Sequence, residues 1–322
     1  MKKYKLAVVI PTIDRVKYLK GVVNELLPLL VDDIIELCIS ANKCSDTTHS
    51  FLKSLEDEEY CGLKVKYHDA LLTIDQNMLC AIGLSDAEYI FPLGDDDFIS
   101  RESVLAILEL VSRSRYDLIL LNGFHADDGL RVVRGHLPSE LLGRSFDCPA
   151  AAFSHVWSFM PFGSFVFFAE NFNFDFSARY MGTSHAYTGV IWDSLARKCE
   201  QGFKVSVFCM PDKTVLLRGA EKTWASSKTL ILYHEIPLWF NLVLSNKIYW
   251  NVASQCLSLY QRRITSFKFV FSIYCYSNDY LLLRTLPLLD VCFIDRLFLR
   301  VLFFVPRGWL FKLSNLLKNK KV

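Results

Sequence analysis

The sequence predicts an α/β fold: a Rossmann-like, mostly parallel sheet flanked by helices, with a helical, amphipathic C-terminal extension. Three observations predict it. Short apolar runs alternate with helically spaced segments from residue 6 to residue 97, which implies right-handed βαβ crossovers. The polar loops 12–15, 40–48, 69–77 and 95–97 follow apolar runs. They fall together on the carboxyl edge of such a sheet, where ligands bind. The charge is also divided. Residues 212–322 carry 16 Lys and Arg against 6 Asp and Glu, whereas residues 1–211 carry 20 against 28.

The elements follow in order. Leu6–Ile10 is a continuous apolar run with β-branched residues, as expected of a strand covered on both faces. It follows Met1-Lys2-Lys3 like the start of a leader peptide, but Pro11 ends it after five residues, so it reads as the first strand. Residues 16–30 place Val16, Leu19, Val23, Leu26 and Leu27 on or near one helical face. Strands follow at Ile34–Ser40, Val65–His68 and Tyr89–Leu93, with helices over Ser50–Leu55 and Ile74–Leu84. Ser100–Ser112 is a helix with Ser100 as its cap, and Asp117–Asn122 is another strand. Residues 123–150 are turn-rich, with a β-ribbon around Arg131–Arg134. Residues 151–180 are strongly aromatic, which predicts core for most and a sugar-stacking wall for a few. A helix opens after Gly182-Thr183-Ser184-His185, and two short strands, Lys204–Phe208 and Thr214–Leu217, close the sheet. This divides the chain into residues 1–227 and a helical, basic and apolar extension over 228–322.

Composition bounds the function. An apolar fraction of 52% argues against disorder. The ten cysteines form no C-x-x-C pair, so a zinc ribbon is not expected and most should be reduced core thiols. No stretch reaches the ~18 uninterrupted apolar residues of a membrane span. The basic residues are interleaved with Leu and Phe and carry no recognition motif, which excludes a nucleic-acid binder. In the last helix, 309–319, Trp309, Leu310, Leu313, Leu316 and Leu317 share one side and Lys320-Lys321 follow. That pattern suits an anionic membrane surface, with packing on the domain or on a second copy as the plainer alternative.

The stretch that carries chemistry is Gly94-Asp95-Asp96-Asp97. Adjacent carboxylates at a strand end repel one another and need a counter-charge, and Asp oxygens suit a hard divalent cation. The alternative is an acidic turn capping the next helix.

With this stretch, three others resemble the signatures of family-2 glycosyltransferases of the GT-A fold, near the abequosyltransferase-like branch of O-antigen enzymes. Val9-Ile10-Pro11-Thr12-Ile13-Asp14-Arg15 resembles the opening "IPTYNR". Ile39–Thr48 resembles "ISDNxSxDGT", and Asp75-Gln76-Asn77 matches a polar residue and Asn ahead of a helix. The likeness covers about residues 5–225. It implies an inverting hexosyl- or deoxyhexosyltransferase that uses Mg2+ or Mn2+. The partners it implies are a nucleotide-sugar donor and a polyprenyl-diphosphate-linked oligosaccharide acceptor, at the cytoplasmic face of the bacterial inner membrane. Donor contacts are then expected from Pro11, Thr12, Asp14, Arg15, Asn42, Asp46, Asp75, Asn77, Asp95 and Asp96. Asp95 and Asp97 hold the metal, with Asp97 the direct ligand and Asp95 on the ribose or a metal-bound water. The chain departs from the family at Ala41 and Cys44, and at Ser184-His185, where many relatives carry a Glu-Asp or Asp pair.

Two further assignments rest on side-chain chemistry. Arg218, past a strand, suits a diphosphate, and Trp224 suits a lid over the donor. His185, at a helix start, is the candidate base because its ordinary pKa lies near neutrality. Asp193 and Asp175 are the weaker alternatives. Two other functions stay open: a catalytically degenerate membrane-surface scaffold, favoured by Ala41 and Ser184, and a sugar nucleotidyltransferase, for which Pro11–Arg15 lacks the glycine-rich phosphate loop.

Overall fold

The computed structural model describes residues 4–32, 34–126, 132–135, 137–156, 162–218 and 230–265. Strand β1 (Leu6–Thr12) lies at the centre of the parallel part of the sheet. It pairs in parallel with β2 (Glu36–Asn42) on one side and β4 (Tyr89–Pro92) on the other. Beyond β2 lies β3 (Leu63–His68), also parallel. The crossovers are α1 (Val16–Val31), α2 (Thr48–Glu56) and α3 (Ile74–Gly83). The alternation of strand and helix thus gives the arrangement it predicts.

The other half of the sheet is mixed. After β5 (Phe98–Ile99) and α4 (Arg101–Arg113) come β6 (Leu118–Ala126) and β7 (Val132–Gly135), which forms an antiparallel ribbon with β6. Next come β8 (Ser145–Phe146), α5 (Pro149–Val156) and β9 (Phe165–Phe168). Strand β9 belongs to the stretch expected only to be aromatic core. It inserts antiparallel between β4 and β6. Four consecutive buried residues, Phe165 to Phe168, are apolar on both faces, so no alternation marked them as a strand. The two closing strands are one: β10 (Val207–Arg218) runs on through Met210-Pro211-Asp212. Its pairing with β6 shifts register on either side of Lys213, and Asn122 Nδ2 holds the Pro211 carbonyl at 3.0 Å across the irregularity. The order is β3-β2-β1-β4-β9-β6-β10-β5.

Side-chain alternation along β1 builds a core on each face. Leu6, Val8 and Ile10 pack with Leu19, Val23 and Leu26 of α1, Leu52 of α2 and Ile107 of α4. Ala7 and Val9 face the other way, towards Met78 and Ala81 of α3 and the helix α7 (Ala186–Glu200), which follows the short α6 (Ser177–Tyr180). Tyr180 lies so close to α7 that a Cβ on Gly189 would stand 2.3 Å from its ring, so only glycine fits there.

The segment after residue 230 shares this second core. A π-helical turn (Ile231–Glu235) leads into α8 (Ile236–Leu244), and α9 (Trp250–Thr265) follows. Phe153 of α5 sits at the centre. Its ring lies 5.2 Å from Trp192, 6.0 Å from Trp239 and 5.1 Å from Tyr249. The buried hydroxyls find carbonyls: Tyr249 on Trp192 and Tyr233 on Ile264, each at 2.6 Å. The eight described cysteines are free thiols. Cys38, Cys209 and Cys256 are buried and Cys61 is exposed, so fewer are core than the sequence suggests. Among the described residues no helix is long and apolar enough to cross a membrane. The amphipathic helix expected over 309–319 lies outside the described residues.

Candidate active site

The registers Thr12↔Ala41, Asn42↔His68 and Val9↔Pro92 bring the ends of four strands to one edge. Beyond β4 the chain turns through Gly94, with the Asp97 amide donating to the Gly94 carbonyl at 3.2 Å. A Cβ on Gly94 would fall 2.7 Å from Asp97 Oδ2 and 3.2 Å from Asp96 Oδ1, so a larger residue would push these carboxylates from their places. The acids do not cap α4. Ser100 does, accepting from the Ser103 amide at 3.2 Å.

The counter-charge for the acids comes from the first loop. Arg15 Nη2 meets Asp96 Oδ2 at 2.6 Å and Nη1 lies 3.1 Å from Asp95 Oδ1. Thr12 Oγ1 donates to Asp95 Oδ2 at 2.8 Å. The acids need a counter-charge, and the guanidinium supplies one to two of the three. Burial still pushes the Asp95 carboxyl up, to about 7, against the pull of Arg15 and Thr12. Both Asp95 oxygens are engaged in these contacts, and Asp97, also buried, stands beside them. Its Oδ2 sits 3.5 Å from where a Cβ on Gly163 would be, in a cradle lined by Gly94 and Gly163. Its carboxylate is a hard oxygen of the kind that Mg2+ or Mn2+ would take. Among the described residues no group of three His, Cys, Asp or Glu side chains converges to hold a metal, so such an ion would draw most of its ligands from phosphate and water.

The other expected donor contacts have local partners. Asp14, in the left-handed region at φ 48°, accepts from the Ser45 hydroxyl at 2.8 Å and the Asp46 amide at 3.1 Å. Asp46 caps α2 through the Thr48 amide at 2.8 Å and takes the Val16 amide at 3.3 Å. These bonds tie the first two loops together. Pro11 continues β1, opposite Ser40. Asn42 is occupied by the Leu72 backbone, donating to its carbonyl at 2.9 Å and accepting from its amide at 2.8 Å. Asn77 accepts from Ser40 Oγ at 2.6 Å, so the 2.9 Å contact between Ser40 and His68 requires His68 Nε2 to donate.

Asp75 anchors the start of α7. Its Oδ2 accepts the Gly182 and Ser184 amides at 2.9 and 3.1 Å, and Oδ1 the Ala186 amide at 2.9 Å. One carboxylate thus satisfies free donors ahead of and within the first turn of α7. Ser184 is held at φ 58°, an unusual conformation for a serine. The adjacent His185 places Nδ1 3.2 Å from the Thr183 carbonyl, so Nδ1 carries the proton and Nε2 keeps its lone pair. Burial holds its pKa below the ordinary 6.5, against the pull of the Thr183 carbonyl and Asp75. Asp193 lies two turns on, ~12 Å along the helix. It pairs with Arg179 at 2.8 Å, and the same guanidinium takes the Leu242 carbonyl of α8 at 2.7 Å. Asp175 is exposed on a short turn beside Phe174, whose ring lies 3.8 Å from a Cβ built on Gly83, at the end of α3 remote from the cleft. The structure therefore brings His185 to the edge and leaves Asp193 and Asp175 away from it. Arg218 ends β10, opposite Ala126. Trp224 lies outside the described residues. A separate cavity of about 430 Å³, lined by Arg115, Arg197 and Lys198 among others, opens at the opposite edge, where Lys198 reaches Asp117 before β6.

Two side chains went unread in the sequence. Tyr187, in the first turn of α7, is buried within reach of the Asp97 charge and 5.4 Å from the Phe162 ring. Burial and Asp97 hold its phenol well above the ordinary value, so it stays a neutral hydroxyl. Glu235 brings a carboxylate to Ser184, with Oγ to Oε2 at 2.5 Å. Neither belongs to a recognisable spacing.

A mixed sheet with an acid turn at its carboxyl edge, faced by the start of a long helix, is the GT-A glycosyltransferase arrangement. The model of glycosyl transferase family 2 matches residues 7–172, just over half of the chain. The chain belongs to that family. It is 25% identical over 202 residues to abequosyltransferase RfbV of Salmonella typhimurium strain LT2, across 56% of this chain and 58% of that protein. The chain thus spans little more than half the length of this curated relative. The crystal structure of S. aureus TarS 1–349 with UDP-GlcNAc superposes with a TM-score of 0.60 at 14% identity, over 82% of this chain and 73% of that one. Mannosyltransferase PcManGT of Pyrobaculum calidifontis, solved with GDP-Man and Mn2+, gives 0.51 at 10% identity, over 95% and 84%. These two likenesses establish the fold.

Arg15→Gln leaves a buried carboxylate, Asp95, and a half-buried one, Asp96, without their cation. Urea unfolding is expected to register a loss of about 3 kcal/mol; a change below about 0.5 kcal/mol would mean the cluster is neutralised otherwise.

Proposed function

We propose that this protein transfers a sugar from a nucleoside-diphosphate donor to a hydroxyl of a lipid-linked oligosaccharide, with inversion and with a divalent metal, in O-antigen or related surface-polysaccharide synthesis. The observation that carries the reading is the edge cluster: Thr12, Arg15, Asp95 and Asp96 locked together, with Asp97 beside them in its glycine cradle. The relatives add support. TarS was solved with UDP and UDP-GlcNAc, and PcManGT with GDP-Man and Mn2+. RfbV is named an abequosyltransferase.

In this reading Asp97 holds the cation, which when bound supplies positive charge for the departing diphosphate. Arg15 and Thr12 fix Asp95, which faces the ribose or a metal-bound water. Asp14 and Asp46 keep the base-side loops closed on each other. Arg218, at the end of β10, is assigned to the donor diphosphate and Trp224 to a lid over the donor. His185 Nε2 takes the proton of the attacking hydroxyl, and the Thr183 carbonyl holds the tautomer that frees it. The extension over 228–322 seats the enzyme peripherally on the cytoplasmic face of the inner membrane. Its described helices pack on the catalytic core, and its basic, amphipathic end meets anionic lipid.

A panel of UDP- and GDP-sugars, assayed for metal-stimulated hydrolysis, tests the donor. Asp97→Ala is expected to lower that turnover at least ~100-fold; an active variant removes the metal role. The pH dependence carries a definite sign. A base with a depressed pKa stays competent below pH 6.5 and is lost only as pH falls through its own value, so kcat/KM should hold at 6.5 and decline on the acid side. An acid limb centred above pH 6.5 would exclude His185. Deletion of residues 306–322 should move the protein from the pellet to the supernatant when it is spun with phosphatidylserine-containing liposomes. Unchanged sedimentation would reject the C-terminal helix as the anchor.

A further inference from the structure

Glu235 has no role in the reading above, and it lies beyond the residues 7–172 that the family model matches. It closes a π-helical turn, Ile231–Glu235, a deviation from α-helix that recurs at functional sites. Its Oε2 accepts from Ser184 Oγ at 2.5 Å, and among the described residues no partner is seen for Oε1. Ser184 reaches it from the left-handed region at φ 58°, while its amide is fixed by Asp75 at 3.1 Å. The following residues are His185, which carries the proposed base, and Tyr187, which lies near Asp97. A fixed, half-buried carboxylate therefore stands on the acceptor side of the site, one residue from the group that would take the acceptor proton.

An ionised carboxylate only accepts hydrogen bonds, and two neighbouring sugar hydroxyls can donate to its two oxygens. It also repels a second anion. The positive end of α7 does not offset this, because Asp75 already occupies three of the amides there.

We infer that Glu235, set against Ser184 at the start of α7, selects the acceptor: it binds a pair of hydroxyls on an uncharged acceptor sugar and turns away an acidic one. This rests on the transferase reading and adds the class of acceptor to it. Specificity then depends on a helical turn outside the shared catalytic segment.

The test uses the full chain, the donor identified by the hydrolysis panel, and octyl glycosides of neutral hexoses beside their uronic-acid counterparts. Wild type is expected to favour the neutral acceptors by about tenfold or more in kcat/KM, the scale of one hydrogen bond to a charged group. Glu235→Gln should raise KM for the neutral acceptor about tenfold, change kcat less, and narrow the preference over the uronide. Glu235→Asp keeps the charge and should preserve that preference even as KM rises, so it reports on selection if the Gln variant folds poorly. Unchanged KM and unchanged preference in both variants would overturn the inference. So would a fall confined to kcat with the preference intact, which is the mark of a base. If wild type hydrolyses no nucleotide sugar, the transferase reading fails and this inference falls with it; hydrolysis together with an unmoved preference sinks this inference alone.

Discussion

Everything at the carboxyl edge of the sheet depends on Arg15 standing between Asp95 and Asp96. Carboxylates at the mouth of a buried sheet are costly unless a cation meets them. The guanidinium does so with two nitrogens of one rigid fork, which also fixes the loop that carries it against the turn after β4. Thr12 takes the remaining Asp95 oxygen. With these contacts made, the third acid is distinct from its neighbours. Asp97 folds back over Gly94, into space that a Cβ there would crowd.

The start of α7 has a corresponding anchor in Asp75. Its two oxygens collect three amides from the approach and first turn of α7, which fixes the helix end in space. From that fixed end His185, Ser184 and Tyr187 are presented in different directions: to the Thr183 carbonyl, to Glu235 and towards Asp97. The opposite end of the same helix is held by Lys198 on Asp117 and its middle by Asp193 on Arg179. Three acids, Asp75, Asp193 and Asp117, thus serve its placement. Departure from the acid pair of the family at 184–185 is accompanied by a carboxylate arriving from elsewhere in the chain.

The helices after residue 230 also have a double aspect. Trp239, Phe240 and Tyr249 complete the core around Phe153, so this segment is bound to the domain by burial. At the same time its first turn delivers Glu235 to the cleft edge. A segment that reads as an apolar and basic appendage is therefore in contact with the site.

The sequence by itself determined the parallel half of the sheet and the edge that carries the polar loops. The reason is local: a buried strand must be apolar and a crossover helix must be amphipathic, so burial writes a period into the chain. It also marked the acid turn, since glycine and aspartate there answer to backbone geometry. It did not mark β9, whose apolar residues face core on both sides, nor the continuity of β10 through Pro211. Tertiary structure alone decided the partners: Arg15 for Asp96 at a separation of 81 residues, Asp75 for the Gly182 amide at 107 and Glu235 for Ser184 at 51. A carboxylate looks the same in sequence whether it caps a helix, pairs with arginine or faces a ligand. Only the position of its neighbours distinguishes these roles, and no period in the chain encodes contacts at such distances.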